Sequence, residues 1–438
     1  MSAATALAGS APAERDTRGA TSPAAWVPTL YFAEGLPATV IGAMSAIFLK
    51  ELGVSNAGIA MCVSAFMLPW LVRPLWSPWL ELYGTKRLFV VVTELLMAAG
   101  LAAVAIAIAM GGTHRISVCV ALLTLFAFVT ATHDMAADGF FIRSLSPELQ
   151  QRYVGWLGVA FNAGRLAVQG LLVVVVGQLA LRWGAMAAWQ AGFAALAVVA
   201  ALLAVHHARA LPLEPRALAP QDAPPGMVHG LRDILVSFFT KAGAAWLLGL
   251  IVVYRLAEGY VTRMAPLFLL DPRERGGLGL TTAQVGLWYG GLGGAAFVTG
   301  AVVGGWMAGR LGRRRAMIPF CLAFNLPALV YLALAANQPS LPMIALAIAT
   351  EQFAYGLGSI GLKLATFSAA EGPYETAHCA FAGALSGAGA MVSGMASGAL
   401  QGTLGYGGFF ALAVLAAAPT LFVAAVNARP ARELAPAT

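Results

Sequence analysis

Twelve stretches of about 20 residues, rich in Ala, Leu, Val and Gly and nearly free of charge, recur along this chain from end to end. Each is long enough to cross the ~30 Å hydrocarbon core of a bilayer as a helix, whereas barrel strands need only ~9–11 residues. In lipid a backbone must satisfy its own polar groups, and a segment of this length does so as a helix. The expected fold is an all-α membrane protein. Composition agrees, with 60% hydrophobic and 10% charged residues in a chain of 438, against about 25% charged in ordinary soluble domains. A soluble chain of this length could not hide so much apolar surface.

The spans are read at 26–49, 57–79, 88–110, 116–142, 153–181, 186–207, 243–270, 282–309, 316–336, 341–369, 376–403 and 407–427. The longest polar interval, 208–242, contains Pro212, Pro215, Pro224 and Pro225 and separates six spans from six. The chain thus divides into a tail (1–25), an N-terminal six-helix bundle (26–207), a cytoplasmic linker (208–242), a C-terminal six-helix bundle (243–427) and a second tail (428–438). The first tail carries Glu14, Arg15, Asp16 and Arg18 among Ala, Ser, Pro and Thr. It has no apolar core behind a basic stretch, so it reads as disordered chain and not as a cleaved leader.

Orientation follows from the basic residues. With the N-terminus inside, sixteen of the 26 Lys and Arg fall in cytoplasmic segments, five in external loops and five within spans. The positive-inside rule then puts both termini in the cytoplasm of an inner membrane. The net charge of +7 encodes orientation and not a nucleic-acid partner. A cysteine placed at Thr85 or Arg313 should resist an impermeant reagent on intact cells, while one at Arg182 should react. Labelling at Thr85 without permeabilisation would overturn this orientation.

The chain shows no zinc-ligand set, phosphate-cradling loop or nucleophile elbow outside its apolar spans, which argues against an enzyme and implies no cofactor. The four cysteines, Cys62, Cys119, Cys321 and Cys379, sit inside apolar segments with neither metal nor redox spacing.

Charge inside hydrocarbon costs roughly 2.5–3.5 kcal/mol per group on insertion scales, so each case needs a partner or a watery cavity. The intramembrane carboxylates are Glu34, Glu94, Asp134, Asp138, Glu258 and Glu351. Thr130, Asp134 and Asp138 repeat at i, i+4, i+8 on one face of the fourth span, where two carboxylates one turn apart repel. That arrangement suits proton coupling, with Glu34 as a further candidate; a static ion pair for Asp134 is the alternative. His133 points away from Asp134 and reads as a packing residue. Arg255 and Glu258 form an i, i+3 pair near mid-bilayer in the seventh span. Asn162, Arg165 and Gln169 form a polar stripe on the fifth, and Glu351 and Gln352 sit within the tenth. These residues, with Tyr31, are expected to line a substrate cavity. Arg73, Arg263 and Lys363 stand nearer span ends, where snorkelling to the headgroups is the default.

A weak internal repeat joins the halves. Glu81-Leu82-Tyr83-Gly84-Thr85-Lys86-Arg87 after the second span matches Gly309-Arg310-Leu311-Gly312-Arg313-Arg314-Arg315 after the eighth. It resembles the loop signature of the major facilitator superfamily, with Glu81 where Asp is usual and Gly309 in place of the second acid. The resemblance implies twelve helices in two six-helix pseudo-repeats, with the first, fourth, seventh and tenth lining a central cavity. A cytoplasmic gate at Glu81, Arg143 and Arg73 is expected.

Longer stretches narrow the likeness: Tyr31 to Pro37 (YFAEGLP), Leu68 to Arg87, His133 to Gly139 (HDMAADG), Arg255 to Gly259, Glu351 to Gly358 and Tyr374 to Ala380. In this order they resemble the muropeptide permeases of the AmpG type, a group that includes acetyl-coenzyme A transporters and some siderophore importers. The resemblance implies proton-driven import of sugar-containing cell-wall fragments, with Asp134 and Asp138 at the carboxylates tied to proton or substrate. Arg73 stands where Lys is common, and Gly139 where Ala or Ser is usual. The two extra helices of the best-known members are missing, which leaves a siderophore or other amphiphilic anion open as cargo. A non-transporting sensor or scaffold is the reading from another class. The expected partners are a small-molecule substrate, protons and membrane lipid, around a monomeric transport unit.

Overall fold

The computed structural model describes residues 22–76, 80, 85–145, 147–213, 236–240, 244–311, 313–337, 339–370 and 375–428. Besides one further α-helical turn at 236–239, these residues form twelve principal helical segments. They are α1 (Pro23–Glu51), α2 (Asn56–Val72), α3 (Lys86–Met110), α4 (Arg115–Ser144), α5 (Pro147–Arg165, Leu166–Leu172 and Val173–Trp183) and α6 (Ala185–Ala210). After the interval come α7 (Ala244–Tyr254 and Leu256–Leu270), α8 (Thr282–Leu311), α9 (Arg313–Asn337) and α10 (Leu341–Ala370). Helices α11 (375–404) and α12 (406–415 and Ala418–Ala428) meet at Gly405, whose φ of 65° turns the chain between them. A positive φ is cheap for glycine and costly for other residues, so the bend sits there. Nine of the described helices are by themselves long and apolar enough to cross a membrane, one of which, Phe381–Ala425, runs through α11 and α12. Helix α2 is short, and α7 is broken in two.

Local signals set several helix starts. Ser55 accepts from the Gly58 amide at the head of α2, and Thr85 accepts from Leu88 at the head of α3. Thr281 and Gln284 close a capping box on α8. Each cap satisfies an amide that the first turn leaves without a partner. Leu96, Ile106, Leu125, Leu202, Leu346 and Phe422 are exposed on the outer faces, where lipid is the solvent. Helix α1 differs, with 78% of its most apolar window buried, so it lies inside the assembly.

Within the first half α3 packs on α4 and α6, and α1 on α5; in the second, α10 packs on α8 and α9, and α7 on α11. The halves meet mainly where α5 crosses α8 and α2 crosses α11. Both crossings depend on glycine. A side chain at Gly290 would collide with the backbone at Gln169 and Gly170, one at Gly177 with Ala283, and one at Gly398 with Asn56 and Ala57.

The two ends of the molecule differ. At the end that carries Lys50 and Asp271, one apolar cluster runs across both halves, from Phe48, Trp189 and Phe193 to Phe268, Tyr406 and Phe410. Toward the end that carries Lys86 the apolar residues fall into two separate clusters. One, around Trp26 and Phe140, belongs to the first half; the other, around Phe238 and Phe324, belongs to the second. Among the described residues the molecule is closed at the Lys50 end, and its apolar packing is parted at the Lys86 end.

Candidate functional site

Four local departures from α-helix surround one space. Helix α1 widens into a π turn at Val40–Met44, α5 at Leu166–Leu172 and α8 at Gly286–Leu292, while α7 breaks at Arg255. Wide turns and breaks leave backbone carbonyls without helical partners, which is tolerated at membrane depth only where the chain is buried or faces a cavity. Residues from all four line a cavity of about 420 Å³: Gly42, Gln169, Tyr289 and Arg255 among them. A second cavity, of about 380 Å³, adjoins it; Ala38, Met67, Phe161, Arg255 and Arg263 border both. Gly383 and Gly387 of α11 line the second cavity with no neighbouring atom near their open faces.

The first cavity is basic. Asn162, Arg165 and Gln169 line it together, as their shared helix face requires. The Arg165 guanidinium donates to the Asn162 carbonyl oxygen at 3.3 Å and lies 5.1 Å from the centre of the Phe297 ring. Arg255 donates through Nε and Nη2 to both oxygens of Glu258, at 2.9 and 3.0 Å, and Tyr355 donates to the same carboxylate at 2.9 Å. Gln352 lines the cavity and donates to Glu351 at 2.9 Å. Glu351 lies behind that wall, buried, where Tyr331 also donates to it at 3.1 Å.

The second cavity holds the carboxylate cluster, and Arg73, Arg255 and Arg263 also line it. Glu34 and Asp134 line it, and Asp138 is next to them, with carboxylate oxygens of all three within 4.8 Å of one another. Arg73 reaches in and pairs with Asp134 at 2.6 Å. Tyr31 donates to Asp138 at 3.0 Å. Glu34 is 7% exposed and has no basic side chain within 4.0 Å among the described residues. Asp138 is the exposed member.

Several sequence expectations need correction. Arg263 does not snorkel to a span end; it borders both cavities and donates to Ser64 at 3.1 Å. Arg73 is turned inward as well, because Asp134 gives it a carboxylate closer than the headgroups. Tyr31 serves the acidic group and lies off the walls of both cavities, and Glu351 is one layer behind the wall. Arg143 is exposed at the end of α4, and Glu81 lies outside the described residues. His133 is a packing residue, as its angular position suggests. With His207 it holds Glu94, at 3.3 and 2.7 Å, in a buried cluster that ties α3, α4 and α6 together away from the cavities.

Sequence reading missed the closed end altogether. Lys50 pairs with Asp271 at 2.5 Å, and Asn56 donates to Asp271 and Gln401 at 2.8 and 3.1 Å. Tyr406 donates to Asp271 at 2.6 Å, and Thr282 to Glu51 at 2.5 Å. Every one of these bonds except the one from Tyr406 joins one half to the other. In sequence these are loop-edge polar residues, and no spacing rule pairs them.

The family model described as Major Facilitator Superfamily matches residues 29–374. Over 401 residues the chain is 25% identical to the anhydromuropeptide permease of Escherichia coli strain K12, covering 90% of this chain and 77% of that protein. Among solved structures, a D-xylose-proton symporter superposes with a TM-score of 0.70 at 13% identity, over 92% of this chain and 96% of the other. A bacterial homologue of the human lysosomal transporter Spinster, in an inward-facing and unoccupied conformation, does so with a TM-score of 0.69 at 15% identity, over 92% and 95%.

Proposed function

The chain belongs to the Major Facilitator Superfamily, and from that premise we propose that it is a proton-coupled importer of an anionic, sugar-containing solute of the anhydromuropeptide class. That it is a multi-pass membrane transporter follows from the family and the fold. The cargo and the coupling are our reading. The observation that carries it is the joining of a basic cavity to one that holds a cluster of carboxylates, across the shared residues Arg255 and Arg263. A space of about 420 Å³ with several guanidiniums suits an organic anion, since arginine presents a planar fork to carboxylate or phosphate. Tyr289 and Tyr355 on the same walls offer ring faces and hydroxyls of the kind sugars use. The likeness to an anhydromuropeptide permease supports this cargo.

Three carboxylates with one guanidinium in ion-pair contact among the described residues favour holding a proton between them, because like charges this close cannot all be ionised cheaply. The spacing on α4 alone assigns that proton to Asp134. The Arg73 contact favours Asp134 as the ionised member and Glu34 as the carrier, with Asp138 the route to water. A negatively charged solute entering next to the cluster would strengthen proton binding, and the proton would strengthen solute binding by the same factor. With the Lys86 end taken as cytoplasmic, the parted end gives the cavities access to the cell interior.

Counterflow tests the cargo. Proteoliposomes loaded with unlabelled anhydromuropeptide should trap labelled anhydromuropeptide well above empty-vesicle controls, and ferric siderophore should neither compete nor exchange. Exchange of siderophore alone would replace the cargo, and exchange of neither would remove the reading.

A further inference from the structure

The walls of the larger cavity hold three guanidiniums, Arg165, Arg255 and Arg263, and one carboxylate, Glu258. Arg255 and Glu258 neutralise each other through two parallel bonds. Two positive charges are left over. Among the described residues Arg165 has only a neutral amide oxygen and an aromatic face as contact partners, and Arg263 has only the Ser64 hydroxyl as a hydrogen-bond partner. No carboxylate of the described residues lies within 4.0 Å of either. A charge held at membrane depth without a counter-charge is costly. Keeping two, each half-buried and facing one cavity, describes a site completed by its ligand.

Resting on the reading of the protein as an anion importer, we infer that its substrate carries two acidic groups, one received by Arg165 and the other by Arg263. Arg165 stands on α5 in the first half and Arg263 on α7 in the second, so a dianion ties the halves together through its own charges. A monoanion satisfies one arginine and leaves the other bare. Arg255 does not fill the second role, because it is already clamped by Glu258, and Tyr355 holds that carboxylate in place. Arg263 is therefore a specificity-determining residue: it sets the number of charges the cavity accepts. Neutral sugars fail on both counts.

The experiment compares one scaffold in several charge states. The purified full chain in lipid nanodiscs is titrated with an anhydromuropeptide bearing two free carboxylates, with each of its monoamides, and with the diamide. A charge-assisted bond is worth a factor of about 10–100 in affinity, so the dianion should bind about 10- to 100-fold tighter than either monoamide. Arg263→Gln should weaken the dianion by a similar factor and leave one monoamide unchanged, and Arg165→Gln should do the same for the other. Arg263→Lys should recover part of the difference, which a merely structural lesion would not. Equal wild-type affinity for dianion and monoamides overturns the two-point site while anion import stands. Binding of the diamide as tightly as the dianion, or of none of the four, overturns both.

Discussion

Replacing Glu34 by Gln is expected to abolish accumulation driven by a pH gradient while leaving exchange of substrate intact. The substitution imitates the protonated carboxyl, and it spares the Arg73–Asp134 pair at 2.6 Å. An imposed difference of about one pH unit supplies about 1.4 kcal/mol per proton, hence about tenfold accumulation for a one-proton symporter. In Glu34→Gln proteoliposomes the ratio should fall to about one, with counterflow retained at close to the wild-type rate. Asp134→Asn should behave differently. It strips Arg73 of its carboxylate and leaves a guanidinium unpaired beside the cavity, so both accumulation and exchange should fall. Full pH-driven accumulation by Glu34→Gln would move the coupling site elsewhere in the cluster. Accumulation driven by a sodium gradient at equal pH would make these three carboxylates a cation site instead, which their 4.8 Å spacing also permits.

Lys50→Ala should open the closed end. Lys50 binds Asp271 at 2.5 Å and the Asn56 carbonyl oxygen at 2.6 Å. Its loss leaves the Asp271 carboxylate, whose side chain is 5% exposed, with neutral donors alone. Removing one partner of a fully buried pair costs about 3–5 kcal/mol. Lys50 keeps some contact with water, so a loss of about 1.5–3 kcal/mol is the better scale. That shifts the balance between closed and open states about 10- to 100-fold. A cysteine at Ala283, which packs against Gly177 in the closed seam, should then react that much faster with an impermeant reagent added outside. Adding Asp271→Asn to Lys50→Ala should reverse most of the gain, because it removes the stranded charge. Unchanged labelling in Lys50→Ala would show that the apolar seam alone keeps this end shut.

The pH dependence of this latch has a definite sign. Burial pushes the Asp271 carboxyl up, but hydrogen bonds from Asn56 and Lys50 outweigh it and hold the group below the ordinary aspartate range. A depressed value means that the closed state gains full benefit above the ordinary range and loses it only as pH falls through the depressed one. Labelling of Ala283→Cys in the otherwise wild-type chain, divided at each pH by that of a fully exposed cysteine, should therefore stay flat between about pH 8 and about pH 5. The latch is a fixed clamp over that interval.

Much of this molecule is legible one residue at a time. Lipid acts as a solvent along the whole chain, so apolar runs mark the spans and a polar interval marks the divide without reference to any partner. Helical spacing also reaches some of the site. Asn162, Arg165 and Gln169 recur on one face and line one wall, and Arg255 and Glu258, three residues apart, form a bidentate pair. Spacing yields a direction, though, and never the group found there. Arg73 and Asp134 are 61 positions apart, and Asn56 and Asp271 are 215 apart. Nothing local distinguishes an arginine that snorkels from one that turns inward, which is why Arg263 reads as a membrane anchor until α2 and α11 are set against it. The π turns of α5 and α8 are hidden for the same reason, since they lie where those two helices crowd together through Gly170 and Gly290. Residue types and their order along the chain were enough for the solvent, the number of spans, the two halves and the charges that need company. Which charges keep company and which end is shut come from the packing, because those outcomes depend on contacts between helices whose order in the chain does not specify their neighbours in space.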